Sequence, residues 1–444
     1  MKKSARGAPA GRPGWREYQE ELRGDPRPGN RKNRLLILLA LAILALAAAR
    51  FLMPPREPPP PIEPQAPQVS PAGDESTRDD GLVGSIDPGI LIHAPGPGVD
   101  FVHQGLPFTA FLSFDREMEA RIASRFDTRH SVEIAMAAVE PESGRVVFLT
   151  GWDGQAVSRL PAVSHLFPAA SIFKIVTAAA AMEQCGLTPD SEMLYNGGPH
   201  TLYRSQLKDV ANRQTNEISF SESFAQSVNP VFGKLGCQLG GQALDGWAEN
   251  FGFNQALSCP VEITPSVFES PVSPFAEAEA ACGFNRTTRM TALHAALVAA
   301  AVVNNGAMPE PVFVDRVEQA PGQVVHRAPL RGRTRTVCRK ETADCLRDLM
   351  VATVESGTAR KPFLRASRDR VLRNLVIGGK TGSINDASDQ VHFDWFVGFA
   401  QEKNGPRKLA VAVLAAHGEF RGTRAGEYAR LIIRAWFEEE EKKA

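Results

Sequence analysis

No charge dominates this sequence. Lys plus Arg number 50 and Asp plus Glu number 50 over 444 residues. A chain without a basic excess has no electrostatic footprint for nucleic acid. Six cysteines are too few for a fold built on disulfides. There is no internal repeat and no Gly-X-Y period, which excludes a solenoid and a collagen. Only one long hydrophobic run occurs, which excludes a polytopic membrane protein. No histidine stands at metal-ligand spacing and no Gly-x-Ser-x-Gly elbow is present, so nothing calls for a metal, an organic cofactor or a Ser-His-Asp centre. His392 and His417 read as strand-end or satisfied polar groups. The composition is 43% hydrophobic, enough for a substantial core.

That single run marks the N-terminal organisation. Residues 1–34 carry ten basic residues against four acidic ones. From Leu35 to Ala49 every residue is Leu, Ile or Ala, and Phe51, Leu52 and Met53 follow Arg50. With Arg50 snorkelling to the interface, 35–53 is long enough to cross a bilayer. The alternative is a cleaved signal peptide ending near Ala47-Ala48-Ala49. The basic leader is long for such a peptide and favours an uncleaved single-pass anchor, with residues 1–34 in the cytoplasm and the remainder outside. Nine prolines fall within 54–71, a composition that gives a semi-rigid extended spacer. We expect a linker over 54–107, a globular domain over 108–437 and a short charged tail over 438–444.

Within 108–437 the hydrophobic pattern predicts a strand near Thr109–Phe114 and a helix over 116–126. Val132–Val139 and Val146–Thr150 read as a hairpin turning at Glu140–Gly144. Helices are expected at 171–184, 219–238, 287–304 and 340–355. Leu375–Ile377, Phe393–Ala400 and Leu409–Ala416 read as buried strands, followed by a helix through Tyr428, Leu431, Ile432 and Trp436. Short links between the late strands imply an antiparallel sheet. The expected fold is α/β: an antiparallel sheet flanked by helices, plus an all-helical lobe and one N-terminal transmembrane helix.

Three short motifs carry chemistry. Ser-x-x-Lys occurs at Ser171–Lys174 and at Ser205–Lys208. Only Ser171 opens an Ala-rich helix, where spacing of three sets Lys174 on the same face beside the free N–H groups of the helix start. A Ser hydroxyl with a Lys base there suits nucleophilic attack; the bland alternative is a helix cap followed by a solvated lysine. Ser-x-Asn occurs at Ser227-Val228-Asn229, before Pro230, and again at Ser383-Ile384-Asn385. Lys380-Thr381-Gly382-Ser383 occurs once, and we expect it to end a strand. A phosphate loop would need Gly where Asn374 stands.

The three motifs lie in one order, the second 56 residues after the first and the third 153 after the second. This triple resembles that of penicillin-binding proteins and serine β-lactamases, and residues 108–437 resemble the penicillin-binding transpeptidase domain. Leu112-Ser113-Phe114-Asp115 with Met118-Glu119 looks like the family's first strand and helix, Val139–Gly144 like its first hairpin. Gly283-Phe284 through Thr291 and Asn304-Asn305-Gly306 resemble the helix before the late strands. Glu355–Ala359 looks like its Gly-Thr-Ala loop, and Trp395–Phe399 like the strand after Lys-Thr-Gly. The resemblance implies a serine acyl-enzyme, with Ser171 as nucleophile and Lys174 as base, its pKa lowered by burial and by Lys380. It implies that Ser227 passes the proton to the leaving amine and that Asn229 holds Lys174 and substrate. Lys380, Thr381, Gly382 and Ser383 would bind the substrate carboxylate, with the Ser171 and Ser383 N–H groups forming the oxyanion hole. Substrates would be D-Ala-D-Ala-like peptidoglycan stem peptides and β-lactams. The family's glycosyltransferase or pedestal domain does not fit between Met53 and Phe108, so a separate glycan polymerase is the expected partner. A D,D-carboxypeptidase shares every residue named. A class D-like β-lactamase, which carries a hydrophobic residue where Asn229 stands, and a sensory or non-catalytic penicillin-recognition domain remain open. In an oxidising compartment the cysteines could pair, short spacing singling out Cys338–Cys345 and Cys259–Cys282; six free thiols are the alternative.

Overall fold

The computed structural model describes residues 69–70, 81–213 and 215–443. The expected basic tail, the anchor over 35–53 and most of the Pro-rich spacer lie outside these residues. No helix among the described residues is long and apolar enough to cross a membrane.

The fold begins earlier than expected. Residues 81–107 read as linker by composition, yet Leu91, Ile92 and Val99 are buried in the core. Pro88–His93 is a helical turn started by Asp87, whose carboxylate accepts from Gly89 N–H at 2.7 Å. β1 (Gly98–His103) and β2 (Leu106–Leu112) form a hairpin. α1 (Arg116–Ala123) is capped by Asp115, which accepts from Met118 N–H at 2.9 Å. β3 (Ser131–Val139) and β4 (Val146–Trp152) are the expected hairpin, and β5 (Val157–Ser158) follows.

A helical lobe comes next: α2 (Lys174–Cys185), α3 (Phe220–Ala225), α4 (Asn229–Leu239), α5 (Pro274–Cys282) and α6 (Ala292–Val303). Three expectations change here. The Ala-rich helix opens with a tighter 3₁₀ turn over Ala170–Phe173. The stretch 219–238 is two helices, because Ser227 takes a left-handed φ of 58° and Pro230 starts the second one. The helix expected over 287–304 starts only at Ala292, capped by Thr291, because Arg289–Met290 pairs with Phe167–Pro168.

Thereafter come β6 (Val314–Ala320), β7 (Gln323–Arg327), α7 (Lys340–Glu355), β8 (Leu375–Asn385), β9 (His392–Glu402), β10 (Lys408–His417) and α8 (Ala425–Lys443). The charged tail expected from 438 continues α8. Lys-Thr-Gly does not end its strand. β8 runs on to Asn385, and Lys380, Thr381 and Gly382 pair with Val397, Phe396 and Trp395.

The main sheet has six antiparallel strands in the order β8-β9-β10-β3-β4-β5, and a second sheet runs β7-β6-β2-β1. Alternation along β9 divides the core. Trp395, Val397 and Phe399 join the helical lobe, whereas Phe396 and Ala400 pack with Tyr428, Ile432 and Ile433 of α8. α6 is buried at every residue, as its Ala-, Leu- and Val-rich sequence requires, and its one polar side chain, His294, lies 2.7 Å from both Ser266 Oγ and Phe251 O. β8, at one edge of the sheet, lies beside the start of α2, and the site forms there.

Candidate active site

The Ser171 turn is held by close backbone approach. Ala170 adopts a φ of 47°, unusual for a non-glycine residue. Against it lies Gly283, the left-handed cap of α5. A Cβ on Gly283 would stand 1.8 Å from the Ala170 carbonyl oxygen and 3.0 Å from Ser171 N, so only glycine fits. On the other side Gly382 of β8 packs against Ile172 and Ala169, where its Cβ would meet Ile172 Cγ1 at 3.2 Å and Ala169 O at 3.3 Å. Trp395 Nε1 donates to Pro168 O at 2.9 Å, tying the sheet to the same turn.

Lys174 begins α2 and is wholly buried. Its Nζ donates to Ser171 Oγ at 2.8 Å, Asn229 Oδ1 at 2.8 Å and Cys282 O at 2.6 Å. Three acceptors match the three donors of an ammonium. The Cys282 carbonyl is available because it ends α5, where the last carbonyls lack helical partners. Burial lowers the Lys174 pKa to about 8, against an opposing pull from Cys282. The Asn229 amide is fixed by its surroundings: Nδ2 donates to His200 O at 3.0 Å, leaving Oδ1 facing Lys174.

Ser227, in the tight turn between α3 and α4, accepts from Lys380 Nζ at 2.9 Å. Lys380 also donates to Thr381 O at 2.9 Å and is wholly buried. Burial, then the charge of Lys174, push its pKa well below the ordinary lysine value. Burial is the largest cause at both lysines, and the repulsion between their two charges is mutual. Further along β8, Thr381 Oγ1 lies 2.6 Å from Thr358 Oγ1, and Ser383 Oγ lies 2.8 Å from His392 Nε2.

The structure therefore brings Ser171, Lys174, Ser227, Asn229 and Lys380 into two hydrogen-bonded groups and sets Thr381, Gly382 and Ser383 along the adjoining strand edge. It leaves Ser205 and Lys208 exposed outside these groups, Ser205 in a 3₁₀ turn. Sequence reasoning singled out Gly283-Phe284 and the Glu355–Ala359 loop but gave no site role to Gly283 or Thr358, and it missed Cys282 and His200 as site residues. Cys282 and His200 act through their carbonyls, Gly283 through close packing and Thr358 through its hydroxyl. His392 and His417 do stand at the ends of β9 and β10. All six cysteines are free, so neither Cys338–Cys345 nor Cys259–Cys282 is bonded. Cys259 Sγ is instead 3.1 Å from Val261 O, and Cys282 is sealed in the helical lobe with its thiol pKa pushed up by burial to about 11. Among the described residues no cluster of three or more His, Cys, Asp or Glu could hold a metal ion.

A serine beside a wholly buried lysine, between a helical lobe and the edge strand of an antiparallel sheet, defines the class of domain. The penicillin binding protein transpeptidase domain matches residues 134–435, and the chain belongs to that family. It is 29% identical over 270 residues to a protein named peptidoglycan D,D-transpeptidase PbpA from Mycolicibacterium smegmatis, covering 58% of this chain and 51% of that one. The chain spans about half the length of the curated relatives it matches. Among solved structures it resembles the D,D-transpeptidase domain of a peptidoglycan glycosyltransferase from Eggerthella lenta, with a TM-score of 0.60 at 22% identity, covering 74% of this chain and 83% of that one. It also resembles penicillin-binding protein A from M. tuberculosis, solved as a penicillin G acyl-enzyme complex, with a TM-score of 0.58 at 22% identity over 74% and 80% of the two chains. At such identities these structures speak for the fold.

Proposed function

We propose that this chain is a D,D-transpeptidase that cross-links peptidoglycan stem peptides through an acyl-enzyme on Ser171, and that β-lactams acylate the same serine. The observation that carries the reading is the buried Lys174 Nζ, 2.8 Å from both Ser171 Oγ and Asn229 Oδ1. A neutral amine keeps two N–H donors. With these given to Asn229 Oδ1 and Cys282 O, the lone pair faces the Ser171 hydroxyl, the arrangement a general base needs. Lys174 takes the Ser171 proton as Ser171 Oγ adds to the carbonyl carbon of the penultimate D-Ala. The C–N bond then breaks. The departing amine receives a proton through Ser227, and D-Ala leaves. An amine of a second stem peptide attacks the ester, the C–O bond to Ser171 breaks, and the Ser171 hydroxyl is restored. The substrate backbone lies along the open edge of β8, with its carboxylate towards Lys380 and Thr381. N–H groups of Ser171 and Ser383 receive the oxyanion. The reading includes the 35–53 anchor, a catalytic domain on the extracytoplasmic side of a bacterial cytoplasmic membrane, and a separate glycan polymerase as partner.

A fluorescent penicillin tests it. The label should be covalent, persist for many minutes, and map to the peptide containing Ser171. Ser171→Ala should abolish it and Ser205→Ala should not. Full labelling of Ser171→Ala refutes the nucleophile. Rapid loss of label from the intact chain favours a β-lactamase. Release of D-Ala that an added amine acceptor does not divert into cross-linked product favours a carboxypeptidase. A reporter active only outside the cytoplasm, fused after Ala444, should be active if the anchor is N-in.

A further inference from the structure

Ser383 stands beside a ring that no step above employs. The loop after β8 is closed by Asp386, whose Oδ1 accepts from Gln390 N–H at 2.8 Å and Val391 N–H at 3.0 Å. That closure sets His392 opposite Asn385 in the ladder and diagonal to Ser383. His392 Nδ1 lies 2.6 Å from Asn385 Oδ1, and its Nε2 2.8 Å from Ser383 Oγ.

The proton positions in this row follow from one end. Asn385 Nδ2 is 3.3 Å from Asp389 Oδ1. A carboxylate only accepts, so the amide nitrogen is on that side and Asn385 Oδ1 faces the ring. His392 Nδ1 must then carry hydrogen. In the neutral ring Nε2 is bare, and the Ser383 hydroxyl donates to it. Arg421 Nη2, 3.5 Å from Nδ1, adds charge more than a hydrogen bond. Burial, then Arg421, lower the His392 pKa to about 4, with Arg424 and His417 acting the same way and Asp394 opposing. The ring is neutral at physiological pH. Ser383, His392 and Asn385 have the hydrogen-bond order of a Ser-His-Asn triad, but so weak a base does not activate a hydroxyl.

We propose that His392 is a specificity-determining positioning residue: by taking the Ser383 hydroxyl proton it turns lone pairs of Ser383 Oγ to the ligand, so that Ser383 accepts an N–H there and the ligand carboxylate is left to Lys380 and Thr381. The inference rests on the acyl-enzyme reading and reverses the part expected for Ser383, which was to donate to the carboxylate. An oxygen presenting lone pairs repels a carboxylate, and a hydroxyl turned the other way would add a charge-assisted hydrogen bond.

The test compares second-order acylation rate constants for benzylpenicillin and its carboxylate methyl ester, on the full chain, in the native sequence and in His392→Gln. The glutamine amide can donate to Ser383 Oγ and free its proton for the ligand. The acid-to-ester ratio should rise about tenfold in the variant, the scale of one hydrogen bond to a charged group. A purely structural role would lower both rates together and leave the ratio unchanged. Ser383→Ala, which removes the repelling oxygen, should not lower the ratio. In the native chain protonation of the ring does what glutamine does, so the ratio should climb as pH falls towards 4 and stay flat in His392→Gln. A ratio unchanged or lowered in His392→Gln, or lowered in Ser383→Ala, overturns the inference while acylation itself stands. Failure of the native chain to be labelled by penicillin at all would overturn the activity instead.

Discussion

Replacing Gly283 by alanine isolates the link between helix packing and catalysis. Gly283 caps α5 at a φ of 69°, with Phe284 N–H donating to Glu279 O at 2.7 Å. Two penalties arise. A left-handed alanine costs about 1–2 kcal/mol. The added Cβ would also sit 1.8 Å from Ala170 O and 2.3 Å from Ala170 C. To reach the 3.0 Å below which Cβ contacts essentially never occur, backbone must retreat by about 1.2 Å. The retreating atoms are those of residue 170 and its bond to Ser171, or those of α5 that carry the Cys282 carbonyl held by Lys174. Either shift changes the Ser171–Lys174 geometry. Misplacement of about 1 Å can cost roughly 10²-fold in rate. Gly186→Ala supplies the control, since Gly186 caps α2 at nearly the same φ, 68°, with nothing within 4 Å of its Cβ. Both variants should lose the backbone penalty in stability, measured by chemical denaturation. Only Gly283→Ala should lose penicillin acylation, by about 10²-fold in rapid-mixing fluorescence. Native-rate acylation in a folded Gly283→Ala protein, or an equal loss in Gly186→Ala, would refute the reasoning.

Lys174→Ala should slow acylation by roughly 10²–10⁴-fold, in the same fluorescence assay. In the native chain the neutral amine is the active form, so at subsaturating penicillin the rate should rise with pH up to about 8 and then level. Because the folded state binds fewer protons than the unfolded one above that value, Lys174 also makes stability increase from about pH 8 towards the ordinary lysine range; the Lys174→Ala protein should lack that slope in denaturant titrations. Arg159 is buried and holds Glu119 through two hydrogen bonds of 2.9 and 2.8 Å, also donating to Ile92 O at 2.9 Å. Arg159→Met leaves Glu119 only the more distant Arg116, at 3.6 Å, in a site where burial already raises its pKa to about 8, and should destabilise the fold by about 3 kcal/mol, measured by urea unfolding. Alkylation of the unfolded, unreduced chain should modify six cysteines, and a count of four or two by mass spectrometry would restore a disulfide.

What was legible in the sequence had local causes. Short, nearly continuous apolar runs marked β3, β4, β9 and β10, and the row of motifs marked Ser171, Ser227 and Lys380, because each motif is a short spacing on one element. The misses are tertiary. Lys380 was expected at a strand end because residues 378–383 are poor in apolar side chains. β8 continues through them because Phe396 and Phe399 of β9 cover Gly378 and Gly379, leaving no room for a Cβ. Residues 81–107 looked like linker because their Gly and Pro content is high, yet β1 is stabilised by β2, and Arg159, sixty residues on, holds the turn before it. The carbonyls of Cys282 and His200 left no trace in the sequence, since a backbone atom contributes the same group whatever its side chain. Nor could the pattern show that His392 meets Ser383, which depends on the Asp386 loop.

The charge state of the site ties its two halves together. Lys174 and Lys380 are both wholly buried, so each charge lacks solvent, and a second charge must also overcome the first. The free site holds one ammonium more easily than two, because burial and the neighbouring like charge both disfavour the second. In the proposed mechanism that single charge is needed at Lys380, where the carboxylate is received, and not at Lys174. A ligand carboxylate beside Lys380 favours that placement, since an opposite charge raises a lysine pKa. The ammonium then belongs at Lys380, and the like-charge repulsion now falls on Lys174, which releases its proton and turns a lone pair to Ser171. Recognition of the ligand's acid end would thereby prepare the base at the other end of the site. It follows that Lys380→Ala should do more than weaken binding. At saturating penicillin it should still acylate slowly near neutral pH, and the midpoint of its pH profile should lie above that of the native acyl-transfer step, because no cation remains to depress Lys174. If saturating ligand restored the native rate and midpoint, Lys380 would be a simple carboxylate anchor, and the two lysines would act independently.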